Sequence, residues 1–275
     1  MTKWFVDPFA RATDIGELSA FTLTKAPTIF AWTDDGYKTP ELNDLTVYEL
    51  HIEQFNDTFD GVIDRLDYLQ TLGVNCLELM PVMSHKLDFD WGYGPLHYFS
   101  PSAHFGGADG LKRPVNTCHG LGVAVILDVV YQHVDPSFPY NLVYQDVAQT
   151  GGAPAVASPM IGAMGPFGPQ CDFSKTFTQD YFQASNQLWV TDYHVDGFRY
   201  DEVTDYYFSP TDTAYANSPT TLTGSRSGSI ASARRAVATA ASFNVPRRCL
   251  APVMYWQTRT PMPPGKTTCS INRRA

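Results

Sequence analysis

The sequence predicts an α/β protein in which helices cover a parallel sheet. Three observations predict this class: short apolar, β-rich runs recur along the chain, stretches with helical spacing separate them, and glycines or turn residues mark the junctions. A series of strand, helix, strand, helix, strand, loop, helix and strand is typical of βαβ units. The pattern leaves two architectures open, a closed barrel and an open doubly wound sheet.

The first two predicted strands flank one amphipathic helix. Residues 47–52 (VYELHI) are β-rich and short, which predicts a strand. A helix is predicted next, ending at Gly73, where a glycine lets the chain turn back. The second strand, residues 74–82, is apolar throughout and is predicted to be buried on both faces. The helix carries apolar residues at helical spacing: Phe59, Val62, Ile63, Leu66, Leu69 and Leu72.

Two further strands complete the series. A helix is predicted over residues 110–121, and Pro114 fits it only in the first turn, because proline lacks the amide hydrogen. Residues 122–130 (GVAVILDVV) form the third buried strand. Residues 136–173 are rich in Gly, Pro and Ala without periodicity, which predicts an extended loop. The series ends with a helix over residues 180–193 and a strand over residues 193–200.

Composition excludes several classes of function. The net charge of −9 argues against a nucleic-acid partner, because phosphate binding needs a basic face. No stretch approaches the roughly 20 apolar residues of a membrane span, and the beginning of the chain lacks the apolar core of a secretory signal, so a cytoplasmic location is expected. The first strand is followed by no glycine-rich phosphate loop, which argues against a nucleotide-binding open sheet. Five widely spaced cysteines without a CxxC pair indicate neither a disulfide framework nor a zinc site.

Arg199 and Asp201 end the fourth predicted strand, two residues apart. Both side chains therefore point to one face and can pair, and the guanidinium would keep the carboxylate ionised. A held, ionised carboxylate is what the nucleophile of a glycosidase requires. An ordinary buried ion pair explains the spacing equally well.

Other polar and aromatic residues follow the same ends of the predicted strands. Asp128 ends the third strand with His133 close behind, while Trp91 and Tyr93 lie in the loop after the second. His133 could donate to a sugar hydroxyl, and either aromatic ring could stack on a pyranose. Taken singly, each is better explained by core packing. Their shared position at the carboxyl ends of successive strands favours a site.

Five ordered motifs carry a family resemblance across residues 45–205. VYELHIEQF, GVNCLELMPV, WGYGPLHYFSPSAHFGG, GVAVILDVVYQH and VDGFRYDEV resemble consecutive strand motifs of the α-amylase family, glycoside hydrolase family 13. The sequences of these motifs resemble those of branching enzymes and maltooligosyltrehalose trehalohydrolases more than those of simple α-amylases. The resemblance implies a TIM (β/α)₈ barrel of which the first four or so β/α units are present.

The resemblance also implies a retaining reaction on the α-glucosidic bonds of glycogen, starch or malto-oligosaccharides, by hydrolysis or glucosyl transfer. It assigns Asp201 as nucleophile and Arg199 as its positioning partner. Asp128, His133 and Tyr93 match positions that line the subsite of the reacting glucose, with Trp91 as a further binding residue. No cofactor is implied. Calcium is doubtful, because Gln132 stands where many members have a calcium-binding asparagine.

The second carboxyl group of a retaining site is not found. The family places this general acid on a glutamate ending strand five, but no glutamate follows Glu202. Glu202 adjoins Asp201 and points to the opposite face of the strand. Glu49, Glu53 and Glu78 lie on or just after the first two strands, and we interpret them as structural or supporting residues.

The composition changes abruptly after the fourth strand. Residues 1–209 hold 27 acidic residues and 10 Lys or Arg, whereas residues 210–275 hold one acidic residue and nine Lys or Arg. Residues 4–23 are similar to the tail end of the small β-sandwich that precedes the barrel in that branch of the family. We therefore divide the chain into a β-sandwich remnant and linker (1–40), the first half of the barrel (41–208) and a disordered tail outside the family (209–275), with one helix near residues 230–241. We interpret the tail as the product of a frameshift or a mispredicted gene end, and the truncated chain as inactive. The alternative to a frameshift is a genuine basic tail that binds an acidic partner. The alternative to an inactive enzyme fragment is a non-catalytic glucan-binding protein.

Overall fold

The strands of the main sheet follow one another in space in the order in which they occur along the chain. The computed structural model describes residues 5–15, 18–21, 29–86, 90–149, 157–202 and 253–255. The sheet order is β1-β2-β3-β6-β7, and every neighbouring pair is parallel. The strands are β1 (Val47–Leu50), β2 (Cys76–Leu79), β3 (Ala124–Val129), β6 (Gly197–Tyr200) and β7 (Val253–Tyr255).

This order decides between the two architectures that the pattern left open. A doubly wound sheet reverses its strand order at a switch point, where the chain returns to the middle of the sheet. The described strands show no such reversal: each new strand is added at the same edge. Stepwise addition in one direction is the order of a β/α barrel. None of the described helices is long and apolar enough to cross a membrane.

Helices connect the parallel strands. The first connection consists of three short helices, α1 (Ile52–Asn56), α2 (Phe59–Ile63) and α3 (Leu66–Thr71). A 3-10 helix (Ala103–Phe105) and α4 (Gly107–Gly120) lead into β3. The third connection contains α5 (Pro139–Gln149), an antiparallel hairpin of β4 (Ile161–Met164) and β5 (Pro169–Cys171), and α6 (Thr176–Asp192). A further 3-10 helix, Leu42–Asp44, precedes β1.

Both faces of β2 and β3 are buried, as predicted. Leu77 and Leu127 belong to the large core that the sheet shares with the helices. Cys76, Ala124 and Ile126 alternate with them and form a separate inner cluster. Alternation along each strand therefore divides the side chains between an outer layer beneath the helices and an inner layer that belongs to the interior of the barrel.

Two helix predictions need correction. The helix predicted to end at Gly73 is broken into α2 and α3, because the amide of Arg65 bonds to the carbonyl of Val62 in a tighter turn. Gly73 does end it, with φ +76°. Pro114 lies well inside α4 rather than in its first turn. The buried face of α4, which includes Leu111 and Val115, offsets the lost hydrogen bond.

The prediction of an extended loop over residues 136–173 was wrong, since it contains α5 and the β4–β5 hairpin. The hairpin is built on long-range contacts that periodicity cannot reveal. The amide of Cys171 donates to the carbonyl of Gln132, and the amide of Val134 donates to the carbonyl of Pro169. The Lys175 ammonium donates to the carbonyl of Ile161 at 2.8 Å. These bonds fix the chain that follows β3.

The predicted domain division stays a prediction. In its first segment, Thr13 and Ser19 form an isolated antiparallel bridge. The predicted helix at residues 230–241 lies outside the described residues. Of the predicted tail, the structure describes residues 253–255, whose backbone pairs with β6 as strand β7.

Histidine and aspartate side chains join the segment before β1 to the amino-terminal ends of β3 and β6. The ring of His119, at the end of α4, lies 3.0 Å from Asp34 through Nδ1 and 3.0 Å from Asp196 through Nε2. His194 also lies 2.7 Å from Asp34, and the amide of Val125 donates to Asp196 at 2.8 Å. We call Asp34, His119, His194 and Asp196 the His119 cluster.

The His119 ring must carry two protons, because carboxylate oxygens only accept hydrogen bonds and both ring nitrogens face one. Burial would lower the pKa of His119, but the carboxylates of Asp196 and Asp34 raise it. Burial alone would raise the pKa of Asp34. His194 and His119 lower it by more, so the pKa of Asp34 lies below its usual value. The charged imidazole therefore stabilises the folded chain.

We expect His119→Gln to lower the free energy of unfolding by about 1–3 kcal/mol near pH 6 and by less near pH 9. A folded pKa above the unfolded value of about 6.5 gives stabilisation that is complete below that value and is lost as the pH rises through the folded pKa. Urea denaturation at both pH values measures this. His104→Gln, near the surface, is the matched control. An equal loss at both pH values would contradict the charged state of His119.

Candidate functional site

Asp128, Arg199 and Asp201 meet at the carboxyl end of the sheet. Parallel pairing sets Asp128 on β3 beside Arg199 on β6. The amide of Asp201 donates to the carbonyl of Val129 at 3.0 Å and extends this pairing one residue beyond β6. The φ of +46° at Glu202 then ends the strand conformation. The register of two strands thus brings together three charged residues that lie far apart in sequence.

The Arg199 guanidinium holds both carboxylates. Its Nη1 donates to both oxygens of Asp128, at 2.8 and 2.9 Å, and to Oδ1 of Asp201 at 2.6 Å. The side chain of Arg199 is only 2% exposed, whereas that of Asp201 is 16% exposed. Asp201 is thus the member of the group that can reach a molecule in the barrel mouth, while the other two lie beneath the surface.

The charges of this group are set by burial and by one another. Burial would lower the pKa of Arg199, but Asp128 and Asp201 raise it, so the guanidinium stays charged. Burial raises the pKa of Asp128 to about 6, although Arg199 and Tyr93 act in the opposite direction. At neutral pH the site therefore holds an ionised Asp128 beside a permanent cation.

Tyr93 reaches the group from the loop after β2. Its hydroxyl donates to Oδ2 of Asp128 at 2.7 Å. The loop is tight: the amide of Gly92 donates to the Asp90 carboxylate at 2.9 Å. Gly92 has a φ of +90°, and a Cβ there would lie 2.9 Å from the carbonyl oxygen of Pro81. Only glycine fits this approach, which explains the glycine directly before Tyr93.

His133 supports Tyr93 from the chain after β3. Its Nε2 donates to the carbonyl of Tyr93 at 2.7 Å, and its Nδ1 lies 2.7 Å from Oε1 of Gln132. The backbone of His133 forms an antiparallel bridge with Gln170 of the hairpin. The structure therefore joins His133, Tyr93, Asp128, Arg199 and Asp201 in one continuous set of contacts.

Trp91 occupies a neighbouring position rather than this set of contacts. It is 44% exposed and adopts a φ of +55°. It lines a pocket at the end of β1 together with residues from the first strand and helix: Tyr48, Glu49, Leu50, His51, Gln54, Phe55 and also Met80. An exposed indole beside a pocket is suited to stacking on a flat apolar face.

Gln132 does not fit the role of a calcium ligand. Its side chain is buried, and its amide oxygen already lies 2.7 Å from Nδ1 of His133. A calcium site needs six to eight oxygen ligands directed at one point.

Two of the glutamates interpreted from the sequence as structural or supporting residues lie beside Asp128. Oxygens of Glu49, Glu78 and Asp128 lie within 4.8 Å of one another. Such a cluster resembles a cation site, but Arg199 already supplies the positive charge, and it uses both oxygens of Asp128. The signal in the sequence was a glutamate at the centre of the otherwise apolar strand CLEL.

The chain is similar to known enzymes of one family. A family sequence model described as the catalytic domain of alpha amylase matches residues 27–150. A malto-oligosyltrehalose trehalohydrolase from Saccharolobus solfataricus is 34% identical over 183 residues, which is 63% of this chain and 30% of that protein. A 1,4-alpha-glucan branching enzyme from Picrophilus torridus is 34% identical over 187 residues, covering 65% of this chain and 26% of its own length.

Solved structures agree with the fold. A protein of the alpha amylase type from Salmonella typhimurium has a TM-score of 0.63 and 28% identity, covering 75% of this chain and 34% of that chain. A pullulanase from Paenibacillus barengoltzii, at 22% identity and a TM-score of 0.58, covers 71% and 36% and supports the fold alone. The chain thus spans about a third or less of the relatives it matches. The predicted barrel class is confirmed.

We expect Arg199→Met to lower the free energy of unfolding by about 3–5 kcal/mol, because it leaves buried carboxylates without their cation. The loss should shrink as the pH falls and Asp128 becomes protonated. Arg113→Met removes a surface ion pair to Asp60 and should cost less than about 1 kcal/mol. Chemical denaturation near pH 7 and pH 5 measures both. Equal losses in the two variants would show that Arg199 has no special role in charge balance.

Proposed function

We propose that this chain, which is similar to the α-amylase family, glycoside hydrolase family 13, over residues 27–150, carries the nucleophile side of a retaining site for α-glucosidic bonds. The observation that carries the proposal is the bond between the buried Arg199 guanidinium and the partly exposed Asp201 carboxylate, 2.6 Å long. A retaining site needs one carboxylate that stays ionised and faces the anomeric carbon. The Arg199 contact supports that state for Asp201.

The proposed reaction assigns a role to each member of the group. Asp201 attacks the anomeric carbon, and the electron pair of the glycosidic bond goes to the leaving oxygen. Arg199 orients Asp201 and stabilises its charge before attack. Asp128, Tyr93 and His133 line the position of the reacting glucose, with the Tyr93 hydroxyl held toward Asp128. Trp91 adds a stacking surface for a neighbouring sugar.

The leaving oxygen also needs a proton from a second carboxyl group, roughly 5 Å from the nucleophile. Glu202 does not match this group, because the family places its general acid at the end of strand five and Glu202 directly follows Asp201. No glutamate follows Glu202 in the sequence. The described residues therefore support the nucleophile side of the reaction and leave the acid side open. A retaining glycosidase with Asp201 alone would cleave slowly.

This imbalance favours a second candidate, a non-catalytic α-glucan-binding protein. It would keep Trp91, Tyr93 and the charged group while lacking the acid. In both candidates the ligand is an α-glucan such as glycogen, starch or a malto-oligosaccharide. The relatives include a trehalohydrolase and a branching enzyme, so the first candidate covers transfer to water and transfer to another glucan hydroxyl.

We also propose a cytoplasmic location for the protein. The three cysteines that the structure describes, Cys76, Cys118 and Cys171, are buried free thiols. Unpaired thiols in this arrangement are typical of proteins from reducing compartments.

We expect Asp201→Asn to lower the rate of product formation from maltoheptaose by a factor on the order of 10⁴, as for other lost nucleophiles. Co-sedimentation with glycogen should be retained. Asp180→Asn makes the same substitution at an exposed position on α6 and should leave both properties unchanged. Reducing-end and chain-transfer products are measured separately.

The same assay separates the candidates. Glycogen binding without any product from the unsubstituted chain would support the binding protein. Product formation that survives Asp201→Asn would contradict the assignment of the nucleophile. If the unsubstituted chain neither binds glycogen nor forms products, both candidates are contradicted.

A further inference from the structure

Glu78 is an ionisable residue in the inner layer of the barrel for which the proposed reaction has no use. It lies in the middle of β2, between Leu77 and Leu79, and is only 2% exposed. Its Oε1 has no hydrogen-bond partner among the described residues. A buried carboxylate in an apolar strand is costly unless a charge nearby compensates for it. Its position therefore calls for a functional explanation.

The groups that face Glu78 come from every neighbouring strand of the sheet. Glu49 pairs with it in register on β1, and the Asp128 carboxylate approaches from β3. Arg199 on β6 brings its Nε to 4.0 Å from Oε1 of Glu78. Cys76, one inward position earlier on β2, stays a neutral thiol, since burial raises its pKa to about 12. Arg199 is the cation among these neighbours.

Arg199 is thus held at two different edges. Its Nη1 bonds to Asp128 and Asp201, while its Nε edge faces Glu78. A carboxylate at the Nε edge attracts the planar guanidinium from a direction different from that of the two carboxylates at Nη1. This attraction limits the directions in which Asp201 can be held.

We propose that Glu78 is a positioning residue, which acts through Arg199 to hold the Asp201 carboxylate in the orientation for attack. The inference rests on the proposed function, because it assumes that Asp201 is the nucleophile. Glu78 touches neither sugar nor the reacting atoms in this scheme. Its effect depends on its charge: when ionised it attracts the Nε edge of Arg199, and when protonated it releases that edge.

The charge of Glu78 changes close to neutral pH. Burial raises its pKa to about 7, the Asp128 and Glu49 carboxylates add to the rise, and Arg199 opposes it. Asp128, by contrast, titrates at about 6. The titrations of Asp128, which bonds directly to Arg199, and of Glu78, which lies at its Nε edge, can therefore be told apart by pH.

The test follows the Asp201 carboxyl carbon by ¹³C NMR in the ligand-free full chain, between about pH 5 and pH 9. The Asp201 signal should shift in two steps, near pH 6 with Asp128 and near pH 7 with Glu78. Glu78→Gln should remove the upper step and keep the lower one, which also shows that the site remains folded. Glu53→Gln, an exposed glutamate on α1, should keep both.

The conservative variant Glu78→Asp tests the same point if the amide destabilises the chain. Its carboxylate is retained but withdrawn from Arg199, so the upper step should persist with a smaller amplitude. An upper step that is absent from the unsubstituted chain, or that survives in Glu78→Gln, would overturn the proposal. The readout needs no glucan, so its failure is distinct from a failure of Asp201→Asn to abolish product formation.

Discussion

A single buried guanidinium balances the charge of the carboxyl end of the sheet. Arg199 contacts Asp128 and Asp201 directly and lies close to Glu78. Three carboxylates cannot be buried beside one cation without cost, and the site limits that cost in two ways. Asp201 remains partly exposed to solvent, and Glu78 holds its proton until near neutral pH. The positions of β2, β3 and β6 around this side chain are consistent with that balance.

The sequence predicted most of the elements that place this group. The apolar runs of β2 and β3 are long and uninterrupted, so their burial on two faces was evident. The spacing of Arg199 and Asp201 indicated that they share a face, and the contact between them follows from strand geometry alone. The pairing of Asp128 with Arg199 required the register of two strands separated by a long connection, which no local pattern specifies.

The failures have physical causes of the same kind. The β4–β5 hairpin depends on backbone bonds to the chain around Gln132, so its residues show no periodicity of their own. Pro114 is tolerated in α4 because packing outweighs a local penalty. The importance of Glu78 could be suspected from its apolar neighbours in sequence, but its relation to Arg199 appears only when β2 and β6 are placed in one sheet.

The His119 cluster lies at the opposite ends of β3 and β6 from the proposed site, with Asp196 just before β6 and Asp201 just after it. In barrels of this class, the two ends of the strands divide stability from chemistry. The alkaline tolerance of this chain can therefore be changed at a place that does not touch the end of the sheet that carries Asp201. Substitutions at Asp34 and His194 would change the stability of the fold at alkaline pH and leave the geometry around Arg199 unchanged.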